Sequence, residues 1–123
     1  MTTAQKIASI LIIALGLLHC SFTFLNYHGI SYEAAWFLGT GVAIVLAGFL
    51  NIAILRTSAQ DVVIWTMALI ANVFFLLGFA VSSYMMRQPQ VFAGAILFLI
   101  TTTYCLVVKP AQSSDGSPAV PPR

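Results

Sequence analysis

The run Ile7-Ala-Ser-Ile-Leu-Ile-Ile-Ala-Leu-Gly-Leu-Leu-His-Cys-Ser-Phe-Thr-Phe-Leu-Asn-Tyr-His-Gly-Ile-Ser-Tyr32 holds 26 residues without a formal charge. A helix rises 1.5 Å per residue, so about 20 residues cross a hydrocarbon core roughly 30 Å thick. One such run is long enough to span a bilayer. Outward from it, Glu33, Arg56, Asp61, Arg87 and Lys109 delimit three further uncharged runs, 34–55, 62–86 and 88–108, of 22, 25 and 21 residues. A charge at mid-bilayer costs roughly 2.5 to 3.5 kcal/mol on insertion scales, so punctuation by isolated charges is the pattern that spanning helices leave.

Composition agrees. The chain has 123 residues, of which 60% are hydrophobic and 7% charged, against roughly 25% charged in soluble domains. A small soluble domain has no means of hiding that much apolar surface. The five prolines, at 89, 110, 118, 121 and 122, avoid the apolar cores, so no span carries the usual kink maker. A net charge of +2 without a basic stripe excludes nucleic acid as a partner. Lys6 ahead of an apolar run has the look of a secretory signal, but the run is longer than an h-region and no A-x-A-like site follows. It is read as a retained helix.

These observations predict an all-α integral membrane protein. The expected fold is an antiparallel bundle of four transmembrane helices, roughly 5–27, 33–55, 61–85 and 90–109, together forming one domain over 1–109. The links are short, which makes sequential helices antiparallel neighbours. Residues 110–123 are rich in proline and serine and are expected to be disordered. Lys6, Arg56, Lys109 and Arg123 fall on one side and Arg87 alone on the other. The positive-inside rule then puts both termini in the cytoplasm, in a plasma or inner membrane. Aromatic residues are expected to anchor the two interfaces, with Tyr27, Tyr32, Trp36 and Tyr84 outside and Trp65 and Tyr104 inside.

Polar residues within the spans are the candidates for function. Gly16, His19, Thr23 and Asn26 follow one another by 3, 4 and 3 residues, which sets them in one stripe along the first helix. Such a stripe should face protein, because lipid tails offer it no hydrogen-bond partner. His19 lies about eight residues, or roughly 12 Å, inside the outer end. One reading is a neutral imidazole bonded to a carbonyl, hydroxyl or water. The sharper reading is a proton carrier or a ligand to iron or another metal. His28 is half a turn out of phase with His19, and no metal-spaced cluster accompanies either, so a resident metal is not expected. Cys20 and Cys105 differ in depth by about 12 Å, too far for a disulfide; both are read as small apolar fillers.

On the second helix, Ala35, Gly39, Ala43, Ala47 and Asn51 recur every four residues, and Gly41 and Gly48 make a second small seam. Small residues let helix backbones approach closely in lipid, so these seams should pack against an internal neighbour or a second protomer. Asn72, near the middle of the third span, is read as fixing helix orientation. With Thr101, Thr102 and Thr103 it has the option of lining a narrow polar cavity, although threonines more simply bond their own helix carbonyls.

Three function classes remain. The first is a non-enzymatic accessory, assembly or structural subunit that works through helix contacts with lipid and with a homodimer or larger membrane complex. The second is a small dimeric transporter or channel, although Glu33 and Asp61 sit at span ends and no carboxylate lies deep. The third is binding of a hydrophobic cofactor or lipid, such as a quinone or haem, near His19, Asn72 and Ser82. No paired carboxylates, nucleophile beside a base or metal cluster suggest catalysis.

Overall fold

A computed structural model of the chain describes residues 2–57 and 60–110. Of the tail expected to be disordered, 110–123, all but Pro110 lies outside the described residues. The order is α1 (Thr2–Asn26), α2 (Tyr32–Arg56), α3 (Val62–Met86) and α4 (Pro89–Val107), with no strand among the described residues. All four are long and apolar enough to cross a membrane. Among the described residues the chain is thus all-helical, with the four spans that a membrane protein needs. The observed ends lie within three residues of those expected from charge punctuation, α1 starting the earliest of its expectation, at Thr2 instead of 5.

Local chemistry fixes those ends. Ser31 caps α2, its hydroxyl accepting from the Ala34 amide at 3.1 Å. Asp61 caps α3, one carboxylate oxygen accepting from the amides of Val63 and Ile64 at 2.9 and 3.1 Å. Both satisfy donors that a helix start leaves free. Arg87 closes α3 in the left-handed region, at φ 47°, with its amide on the Ser83 carbonyl. Gln88 is extended, as a residue before proline should be, and Pro89 opens α4 where its missing N–H costs nothing.

Contact is most extensive within two pairs, α1 with α2 and α3 with α4; α1–α4 and α2–α3 contacts are sparser. Two backbones meet closely in the first pair. A Cβ placed on Gly16 would sit 2.8 Å from both the Gly41 carbonyl oxygen and the Val45 amide nitrogen. One on Gly48 would sit 3.1 Å from the Ser9 carbonyl oxygen. The seam in use is therefore Gly41–Gly48, seven residues apart. Of the four-residue row only Ala47 and Asn51 are buried; Ala35 and Gly39 are exposed and Ala43 is half-buried. Helix geometry explains the split: each four-residue step turns about 40° past a full turn, so five positions wind through about 160°, whereas a seven-residue step drifts only about 20°.

The core has three layers. One apolar cluster gathers Ile54, Ala68, Tyr104 and Cys105, and another gathers Ile12, Ile44, Ala47 and Phe98. Tyr104, expected as an interfacial anchor, is instead buried in the first cluster. Between the clusters runs a chain of polar side chains that touches every helix. Gln5 Nε2 donates to Asn51 Oδ1 at 3.0 Å; Asn51 Nδ2 donates to Asn72 Oδ1 at 2.7 Å, and Asn72 Nδ2 returns to Asn51 Oδ1 at 2.9 Å. Asn72 Nδ2 also reaches Cys105 Sγ at 3.5 Å, and Asn51 Nδ2 the Ala47 carbonyl at 2.9 Å. Among the described residues, the Asn51–Asn72 pair is the only side-chain hydrogen bonding between the α1–α2 pair and the α3–α4 pair.

Two measurements check this packing. Gly16→Ala should destabilise by about 1–3 kcal/mol in reversible detergent unfolding, because the new methyl meets backbone, while Gly39→Ala, with open space at its Cβ, should change stability by less than about 0.5 kcal/mol. In the same assay Asn72→Leu should cost about 1–3 kcal/mol by stranding the Asn51 amide, and Asn51→Leu with Asn72→Leu should cost less than the sum of the single changes.

Candidate functional site

The looser contact between the two helix pairs leaves a cavity of about 780 Å³ at the end opposite Gln5. Its walls are Leu15, Leu18, His19, Phe22 and Asn26 of α1; Phe37, Thr40 and Ile44 of α2; Phe74, Phe75, Gly78, Phe79, Ser82 and Met86 of α3; and Gln88, Gln90 and Val91 at the start of α4. The volume falls in the range of small-molecule sites, about 300–1,000 Å³, and the lining is of the usual kind, mostly apolar with a few polar groups. None of these residues carries a fixed charge.

The ring wall follows from helical spacing. Phe75 and Phe79, one turn apart on α3, both stack on Phe98 of α4, with centroids 5.1 and 5.7 Å away and planes 22° apart. Gly94 makes room for this stack, since a Cβ there would fall 2.5 Å from the Phe79 ring. Gly78 lies between them with nothing within 4 Å of where its Cβ would be. It opens the cavity.

His19 lies flat on Phe37 across the α1–α2 contact, with centroids 3.8 Å apart and planes at 17°. Its Nε2 is sealed from solvent and has no hydrogen-bond partner among the described residues. The imidazole thus presents mainly a ring to its surroundings. Stacking holds its orientation.

The sequence candidates separate into two places. His19, Asn26 and Ser82 share the cavity. Asn51 and Asn72 are in the polar chain between the two apolar clusters and line no part of the cavity, so Asn72 does not join His19 and Ser82 in one site. Thr23 is buried beside neither, its hydroxyl without a hydrogen-bond partner among the described residues. Thr101 and Thr102 bond the Phe98 carbonyl and Thr103 the Leu99 carbonyl, leaving no threonine-lined cavity with Asn72. Cys20 packs at the helix seam, its Sγ 2.5 Å from where a Gly41 Cβ would be, and both cysteines are free thiols. Among the aromatic residues, Tyr32, Trp36 and Tyr84 are exposed, Tyr27 is half-buried, and Trp65 donates its indole N–H to the Cys105 carbonyl at 2.9 Å.

Two contributors escaped sequence reading. Gln5 is fully buried although it sits beside exposed Lys6, and Cys105 supplies a polar contact as well as packing. The Gln5–Ser9 spacing of four, with the Ser9 hydroxyl on the Gln5 carbonyl at 2.7 Å, was the available signal. Among the described residues no three His, Cys, Asp or Glu side chains come together in a metal-holding group. No protein family, curated protein or solved structure matches this chain.

His19→Phe should preserve the stack on Phe37 but lose the imidazole's polar contact with the Phe37 backbone, so thermal stability, measured by unfolding of the detergent-solubilised protein, should change by no more than about 1 kcal/mol.

Proposed function

We propose that this small membrane protein binds a hydrophobic ligand from the lipid phase, a quinone-like molecule or a lipid, without transforming it. The ring-lined cavity carries the reading: it combines an apolar body with hydrogen-bonding groups from Asn26, Ser82, Gln88 and Gln90 at one end. An amphiphile has the same division, with tails that need apolar walls and a head that needs hydrogen bonds. In this reading the helices form an antiparallel bundle with both termini cytoplasmic, the cavity lies in the outer half of a plasma or inner membrane, and ligands arrive laterally.

A second reading is supported by the outward Ala35–Gly39 face of α2. A second protomer or a larger membrane complex would use it for close helix contact, making the protein an accessory or structural subunit. Ligand binding and such assembly are compatible, because the cavity and this row occupy different faces.

Gly78→Leu tests the ligand reading directly. A Cβ at Gly78 meets nothing within 4 Å, so bulk is added at the cavity wall without a backbone clash at that carbon and the fold should persist. Native mass spectrometry from lipid should show a small-molecule adduct on the wild type and at least a tenfold loss of its occupancy in Gly78→Leu. The same spectra report a second protomer as a doubled mass. Equal occupancy in the two proteins would sink the cavity as the binding site.

A further inference from the structure

Resting on the cavity reading, we propose that the ligand's head group is uncharged and bears hydroxyl groups, as in a monoacylglycerol, and that it lies against Ser82, Gln88 and Gln90. Two observations converge on this class. One is the charge that the cavity wall lacks, and the other is the set of hydrogen-bonding groups that the helices leave free in it.

The wall is neutral although charged residues adjoin it in the chain. Met86 and Gln88 line the cavity while Arg87 between them does not, and Phe37 lines it while Glu33, one turn earlier on α2, does not. A phosphate or carboxylate drawn in among the lining residues would have no cation to meet it, and an ammonium group no carboxylate. A charge taken out of water without a partner costs far more than a neutral group that keeps its hydrogen bonds.

The free polar groups set what the head must offer. Serines and threonines in these spans mostly direct their hydroxyls to their own helix: Thr40 donates to the Trp36 carbonyl at 2.9 Å and Ser83 to the Phe79 carbonyl at 2.7 Å. Ser82, half-buried in the wall one turn beyond Gly78, makes no side-chain hydrogen bond among the described residues. At the start of α4 the Gln90 Nε2 donates to the Gln88 Oε1. That bond leaves the Gln88 amide donors and the Gln90 Oε1 acceptor free, so one end of the cavity offers donors and an acceptor together. A hydroxyl both donates and accepts, and so answers each of them. A quinone carbonyl or a phosphate oxygen only accepts, which leaves Gln90 Oε1 unanswered, and a quaternary ammonium does neither.

Matched probes separate this proposal from the reading beneath it. The oleoyl esters 1-oleoylglycerol, methyl oleate, 1-oleoyl lysophosphatidic acid and oleoylcholine share one apolar body and differ in the head. Each is titrated against the full chain by native mass spectrometry from lauryldimethylamine oxide, a detergent without hydroxyl groups. The wild type should hold 1-oleoylglycerol at least about fivefold more tightly than methyl oleate, the ratio that one net hydrogen bond gives, and at least about tenfold more tightly than either charged ester. Ser82→Ala should weaken 1-oleoylglycerol by about three- to fivefold and leave methyl oleate unchanged. This variant has no side-chain bond to lose, so it should remain folded, as checked by monodisperse elution. Gln90→Lys, at an exposed position, should raise the affinity for the phosphate ester by at least about threefold. Equal binding of all the esters, or tighter binding of a charged one, with loss of binding in Gly78→Leu, would overturn the head-group assignment while the cavity stands. An unchanged affinity for 1-oleoylglycerol in Ser82→Ala would also overturn that assignment. Failure of every ester to bind, with no adduct sensitive to Gly78→Leu, would overturn both.

Discussion

The reciprocal amide pair of Asn51 and Asn72 is the interaction on which the arrangement depends. Hydrophobic burial drives soluble helices together, but lipid tails are as apolar as leucine, so helices in a bilayer have little to gain from hiding apolar faces. What discriminates one rotation from another is close packing and the satisfaction of polar groups that have no water to turn to. Each asparagine here both donates to and accepts from the other, and their remaining capacity is taken by Gln5, the Ala47 carbonyl and Cys105. Rotating either helix by one residue, about 100°, would break both bonds at once. Individually such bonds average only about 0.6 kcal/mol in membranes, so their effect is on which arrangement is adopted more than on how firmly it holds.

The cavity is the counterpart of that pair. Where the amides meet, the two helix pairs are joined; toward Asn26 and Gln88 no side-chain hydrogen bond joins them among the described residues, and large rings line the gap. Phe98 is flanked by Phe75 and Phe79 on one side of the space, and His19 is pressed on Phe37 on another. Rigid rings tile a wall well but leave room between walls, particularly opposite a glycine such as Gly78. A joined end and an open end thus come from one distribution of residue types. Polar amides lie at one level, while rings and glycine lie at the other.

Much of this was readable in the chain and some was not. The expected spans matched the four helices to within three residues, because the cost of a charge and the thickness of the hydrocarbon act on each segment separately. The stripe of Gly16, His19, Thr23 and Asn26 was visible as spacing, yet its members divide among the helix seam, the cavity wall and a buried site with no partner. The row from Ala35 to Asn51 looked like one seam and is not, since it winds around the helix. Tyr104 had the composition of an anchor and lies in the core, because its position on α4 faces Ile54 and Ala68.

By itself the sequence determined the four apolar spans and their approximate ends, together with the small set of polar residues that lipid would not tolerate. These are properties of short segments, settled by length, charge and turn chemistry. Only the tertiary structure decided that Gln5, Asn51, Asn72 and Cys105 converge, while His19 and Ser82 share a separate cavity. The reason is that a helix apolar on nearly every side gives no strong sign of which side faces protein. Rotation and depth are set by how the helices fit one another, and that fit exists only once all four are together.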